Sequence, residues 1–229
     1  MGHLGINIFF EGANFLRLLG GLYVSAKIAF LSIVFGGILG IVLGVLRTLH
    51  NPLLRLLLRL YLEFFRIVPT IVLLFLFYYI LPQSFNINYK ADTVGTIVFS
   101  LWMAAEMSDI VRGALISVPR HQVESGKAVG LSTVQLYRYV LLPQSVHLMI
   151  PATINLMTRI IKTTSLLLLI SVVDVINVGQ QIIEANSHRY QDGAFWIYGF
   201  IFILYFILCY PLSRLARRLE RRGKAGANG

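Results

Sequence analysis

The sequence predicts an all-α polytopic membrane protein with five transmembrane helices, N-terminus out and C-terminus in, and one folded cytoplasmic loop between the third and fourth spans. Three observations predict it. Of the 229 residues, 57% are hydrophobic and only 13% charged, against about 45–50% and about 25% in soluble domains. The apolar residues fall in runs long enough to cross a hydrocarbon core, which takes about 20 helical residues. The formal net charge of +10 is carried by short segments between alternate runs. That is the positive-inside pattern, not a nucleic-acid-binding face.

Residues 1–19 mix Glu11, Asn14 and Arg17 with Ile8, Phe9, Phe10, Phe15 and Leu16, and read as an interfacial segment outside the membrane. No basic stretch precedes a short apolar run and an Ala-x-Ala site, so no cleavable signal is expected. Residues 20–212 form the membrane domain. Gly20 to Leu46 is the first span, where Gly36, Gly40 and Gly44 repeat every fourth residue and share one face suited to close helix packing. Asn51-Pro52 marks a turn. Leu53 to Arg66 carries Arg55, Arg59, Glu63 and Arg66 at helical spacing, with Arg59 and Glu63 placed to pair. Ile67 to Leu81 supplies the second span together with that helix.

Thr93 to Ser117 is the third span and holds Glu106, Asp109 and Arg112. Ionisable groups at membrane depth cost several kcal/mol and face a partner or water; Asp109 and Arg112 are close enough in sequence to pair. Ser145 to Ile170 is the fourth span, kinked or restarted at Pro151, with Asn155, Arg159 and Lys162 in one stripe. The polar stretch after it contains a helix over about Val172–Ala185 on the outer side. Ala194 to Leu212 is the fifth span, aromatic at its start as an interface belt is. Residues 213–229 form a basic cytoplasmic tail with Arg214, Arg217, Arg218, Arg221, Arg222 and Lys224.

Val118 to Gln144 is the longest polar, basic stretch inside this apolar chain. Pro119 ends the helix before it, because proline lacks an N–H and clashes with the preceding turn. A short helix over about His121–Val129 follows. Gly130 suits a left-handed C-cap, Ser132 to Gln135 reads as a capping box, and Pro143 marks a further bend. Glu124, Ser125, Gly126, Gly130, Leu142 and Pro143 resemble in spacing the "EAA…G…LP" cytoplasmic loop of ABC-importer permeases, with Ser125 and Gly126 in place of two alanines. Ser117-Val118-Pro119, Gln122 and Pro143-Gln144 widen the resemblance toward the polar-amino-acid branch, the histidine/glutamine/arginine-type family. Tyr61, Glu63, Arg66 and Pro69 resemble its Y-x-E-x-x-R-G-T-P signature, with Ile67-Val68 for Gly-Thr. Asp109, Arg112 and Gly113 resemble an E-x-x-R-G run, and Glu106 stands where tyrosine is frequent. Asn155, Lys162, Thr164 and Ser165 resemble N…K-D-T-S-L, with Thr163 for aspartate.

The resemblance implies a type I ABC importer permease fold in a bacterial cell membrane. It also implies a coupling element, formed by His121, Gln122, Glu124, Ser125, Gly126, Gly130, Leu131 and Pro143, that docks on an ATPase subunit. The implied partners are two ATPase subunits, a second permease that is identical or related, an extracytoplasmic solute-binding protein and an amino-acid substrate. No G-x-x-x-x-G-K-[ST] loop is present, so ATP is expected on the partner and no cofactor on this chain. The histidines His3, His50, His121, His147 and His188 are scattered, no metal or nucleophile–base constellation appears, and Cys209 is alone in an apolar run, so the chain reads as no enzyme.

Ligand chemistry therefore rests on the intramembrane polar set. Glu106, Asn155, Arg159, Lys162 and Ser165 are candidates for the substrate path, because a zwitterion losing hydration needs a cation at its carboxylate and an acid at its ammonium. Alternatively, Glu106 pairs with Arg159 or Lys162 only to join spans. A rival reading is an ATP-independent channel or ion-coupled carrier that uses Glu106, Asp109 and Lys162 as a relay.

Overall fold

The computed structural model describes residues 5–86 and 88–227, with only the helical backbone over 222–227. His3 and the side chains of Arg222 and Lys224 lie outside the described residues. A 3-10 turn (Gly5–Phe10) leads into α1 (Asn14–Leu46), followed by α2 (Pro52–Ile67), α3 (Thr70–Phe75), α4 (Leu81–Phe85) and α5 (Ala91–Ile116). The loop holds α6 (Arg120–Ala128) and α7 (Thr133–Leu136). Then come α8 (Leu142–Thr163), a 3-10 stretch (Thr164–Ile170), α9 (Val175–Ala185) and α10 (Gly193–Ala227).

Four stretches are long and apolar enough to span singly: Asn14–Leu46, Ala91–Ile116, Thr133–Ile170 and Gly193–Arg221. The fifth is the pair Pro52–Ile67 and Thr70–Phe85, bent by 105° at the intervening break. Val68 there is extended (φ −70°, ψ 126°), as the residue before a proline tends to be. The helix of the first span starts at Asn14, inside the stretch read from sequence as interfacial.

Two prolines are absorbed in a common way. Pro82 and Pro143 each follow a five-residue π-helical turn, Leu76–Ile80 and Tyr137–Leu141. A proline supplies no N–H to the carbonyl four residues back and its ring crowds that carbonyl. The wider π turn shifts the bonding by one residue: Leu81 N–H donates to Leu76 O, and Leu142 N–H to Tyr137 O. Pro143 thus widens a continuous helix rather than ending one. Pro151 likewise lies inside α8, which runs on to Thr163.

Two compact units divide the chain. The first takes Met1–Ser32, Thr70–Phe99 and Arg159–Pro211; the second takes Ile33–Pro69, Ser100–Thr158 and Leu212–Gly229. In the first, Ile8, Leu18, Val175, Val178, Ile182, Ile197 and Ile201 form one buried cluster. The apolar face of α9 repeats at i, i+3 and i+7, so one stripe of it meets that cluster. Glu11 accepts from the Tyr190 hydroxyl at 2.9 Å and pairs with Arg189, closing the N-terminal segment onto the turn after α9.

In the second unit, Gly36, Gly40 and Gly44 lie against Ser100–Met103, Ala104–Met107 and Ser108–Val111 of α5. Both residue series ascend together, so the two helices run parallel. The chain between them must cross back once, which makes the bent pair a single span.

Candidate functional site

The loop between α5 and α8 is folded by local chemistry, all within the second unit. α6 ends in a Schellman motif: Gly130 N–H donates to Lys127 O at 2.9 Å and Leu131 N–H to Gly126 O at 3.0 Å. That closure requires a left-handed residue, and Gly130 sits at φ +81°. Ser132 then caps α7. Its hydroxyl accepts from Gln135 N–H at 3.3 Å, while the Gln135 side chain accepts from Ser132 N–H at 2.8 Å. Gly126 is buried; a Cβ there would lie 2.7 Å from Leu136 Cδ1 and 3.4 Å from Leu131 Cδ1. Glycine in place of alanine therefore lets α6 press directly onto α7.

Three contacts fasten this loop to the membrane helices. Gln144 bonds Gln122, Ser145 Oγ donates to Ala114 O at 3.1 Å, and the Thr48 and Tyr137 hydroxyls lie 2.6 Å apart. His121, Glu124, Ser125 and Pro143 are exposed, and Leu131 is half-buried. Val129 and Val134, 77% and 75% exposed, flank Gly130 as uncovered apolar side chains.

The acids of the third span are held by arginines distant in sequence. Arg66 places Nε 3.2 Å from Glu106 Oε1 and Nη1 3.3 Å from Asp109 Oδ2; Arg47 Nη1 lies 3.2 Å from Asp109 Oδ1 and 3.3 Å from the Ser108 hydroxyl. Arg112 forms no ion pair among the described residues, so the local pairing with Asp109 gives way to this one. From α5, Arg47 and Arg66 come from the ends of α1 and α2, and their long side chains reach where a turn neighbour points elsewhere. The Tyr61 hydroxyl also donates to Leu101 O at 2.6 Å. Tyr61 and Arg66 thus clamp α2 onto α5.

Glu106 is nearly enclosed (14% of its side chain exposed), so losing the Arg66 guanidinium leaves a poorly solvated charge less well compensated. Arg66→Gln is expected to lower stability by about 2 kcal/mol, less than a fully buried pair because Arg66 is itself partly exposed. Thermal unfolding across the cycle with Glu106→Gln checks it: the double variant recovers part of the loss if the pair is the cause.

The fourth-span candidates divide between the units. In the second, Asn155 Nδ2 donates to Glu220 Oε1 at 3.0 Å, tying α8 to the helical tail. The tail therefore folds as part of α10 and is more than a topogenic charge cluster. In the first, Arg159 and Lys162 are exposed, and Ser165 Oγ donates to Lys162 O at 2.9 Å. Lys162 makes no ion pair among the described residues.

One polar group escaped sequence reasoning. Asp174 caps α9, accepting from Asn177 N–H at 2.9 Å through Oδ1, and is fully buried; its Oδ2 has no partner. Burial pushes its carboxyl up to about 6, although backbone N–H groups act in the opposite direction. An N-cap aspartate is visible in sequence, but its sealing by a helix 150 residues earlier is not.

Comparison with known proteins agrees with this geometry. Residues 36–224 match the family described as "binding-protein-dependent transport system inner membrane component". The probable amino-acid permease protein YxeN of Bacillus subtilis is 35% identical over 209 residues, 90% of this chain and 91% of that one. The glutamine transport system permease protein GlnP of Escherichia coli K12 is 31% identical, covering 90% and 93%. A crystal structure of an amino acid ABC transporter with histidines superposes with a TM-score of 0.81 at 25% identity, over 91% and 94% of the two chains. The channel or carrier reading is not favoured by these relatives, and two of its relay groups, Glu106 and Asp109, are engaged by arginines. The chain belongs to the binding-protein-dependent transport system inner membrane component family, as a multi-pass permease subunit of an ABC importer whose ATP hydrolysis resides in a separate subunit.

Proposed function

We propose that this permease forms, with a second identical or related permease subunit, the membrane path for polar amino acids. An ATPase dimer moves it through the 118–143 loop, and an extracytoplasmic solute-binding protein delivers the solute. The observation that carries this reading is the folded loop: a Schellman stop and a capping box hold α6 against α7 with Val129 and Val134 bare to solvent. Such a rigid, partly apolar surface suits a groove on a partner. The amino-acid substrate is supported by the names of the relatives, YxeN and GlnP among them.

Basic residues on the loop and tail support a cytoplasmic side for both, with the N-terminus outside. Five spans are too few to enclose a pore alone, so a second permease completes it. Lys162 and Arg159, both exposed in the first unit, offer cations to the solute carboxylate, and Ser165 follows them in the chain. Glu106 serves the α2–α5 clamp. The chain carries no cofactor of its own.

The test is uptake in proteoliposomes holding both permeases, the ATPase and the binding protein. Gly130→Asp puts a strained side chain at φ +81° with open space around it. Membrane insertion should stay normal while ATP-driven uptake falls about tenfold or more, because the α6–α7 angle is lost at a cost of about 1–2 kcal/mol. Normal uptake in this variant contradicts the coupling role.

A further inference from the structure

The first unit holds a cleft that the transport reading leaves unused. It has a volume of about 170 Å³ and is lined by Tyr23, Lys27, Ile28 and Leu31 of α1 and by Asp92, Thr93 and Thr96 of α5. Ile28, 2% exposed, forms its floor. Lys27 and Asp92 are exposed, yet neither forms an ion pair with the other or with any other described residue. Thr96 Oγ1 donates to the Asp92 backbone carbonyl at 2.8 Å, a bond that does not engage the Asp92 carboxylate on the cleft wall.

Depth decides what this cleft meets. From Lys27 to Arg47 is twenty residues, about 30 Å of helix, which is the thickness of a hydrocarbon core. Asp92 and Arg112 on α5 are also twenty residues apart. Both helices thus put the cleft at the boundary where head groups begin, on the side of the α1 N-terminus. Tyr23, 69% exposed, stands there as interfacial tyrosines do, and Phe30, 65% exposed, continues an apolar surface toward the bilayer centre. An unpaired cation and an unpaired anion at this depth match a head group bearing both opposite charges.

We propose that this cleft binds the head group of a zwitterionic phospholipid with a primary ammonium, Lys27 meeting the phosphate and Asp92 the ammonium. The ammonium must carry N–H donors, because a carboxylate gains its charge-assisted hydrogen bonds only from them. A trimethylated ammonium offers none. A free amino acid carries the same pair of charges but has no chain to lie along Leu31 and Phe30.

The experiment is native mass spectrometry of the delipidated full-length protein, titrated with phosphatidylethanolamine, phosphatidylcholine and phosphatidylglycerol of identical chains. Phosphatidylethanolamine should be retained about tenfold better than phosphatidylcholine, the value of one charge-assisted bond. Asp92→Asn should erase that preference and Lys27→Gln should weaken all three lipids. Asp92→Glu keeps the charge and should keep the preference, which separates binding from misfolding. A wild-type protein that holds the first two lipids equally, or an Asp92→Asn protein that still prefers the ethanolamine head, overturns the proposal. Displacement of the lipid by a free amino acid also overturns it and assigns the cleft to solute.

Discussion

Gly40→Leu should detach α1 from α5 and destabilise the protein by about 3 kcal/mol or more, the upper end of overpacking costs. A Cβ at Gly40 would lie 2.5 Å from Met107 Cβ and 2.9 Å from Ala104 O. Neither atom is the free end of a side chain, so the helices themselves must separate. The same holds one turn either way. A Cβ at Gly36 would lie 2.5 Å from Ser100 O, and one at Gly44 would lie 2.6 Å from Val111 Cβ. In lipid, water does not drive helices together, so close packing carries much of their association. Separation would also strain the Arg47–Asp109 pair just beyond this stripe. Gly37→Leu is the control, since nothing stands within 4 Å of a Cβ there. Thermal midpoints and membrane yield of the two variants decide the matter: equal behaviour would remove the packing argument.

Asp174→Asn should make the protein more stable at neutral pH and no different in acid. The folded state holds the Asp174 proton with a pKa of about 6, against 3.8 for the ordinary carboxyl. Between these values the folded chain binds a proton that the unfolded chain has lost. Stability therefore falls as pH rises from about 4 to about 6, and stays lower above that. The difference amounts to about 3 kcal/mol. Asparagine copies the neutral acid, keeps the Asn177 acceptor and removes the titration. The site is well sealed: a Cβ at Gly21 would lie 2.8 Å from Asp174 O, and Ser25 Oγ accepts from Val175 N–H at 3.4 Å. Unfolding midpoints of both proteins from pH 4 to 7.5 should diverge upward. A constant difference across that range would mean that Asp174 stays charged or does not titrate.

Much of this molecule is written locally in its chain. Apolar runs announce spans, because lipid supplies no hydrogen-bond partners and a helix satisfies its own backbone. Gly130, Ser132 and Gln135 announce the folded loop, because caps are chemistry between residues three to five apart. The four-residue glycine repeat announces a packing face, though not which helix meets it.

Tertiary structure alone decided the rest. Asp109 has Arg112 three residues away and yet pairs with Arg47 and Arg66. Asn155 sits in a stripe of cations and yet bonds Glu220. Asp174 looks like an ordinary cap until Gly21 and Ser25 close over it. Pro143 looks like a bend until a π turn absorbs it. A sequence determines what each turn of backbone wants, since those forces act within a few residues. Which distant side chains share a depth in the membrane depends on how whole helices stack, and that is settled only when every helix has found its neighbours.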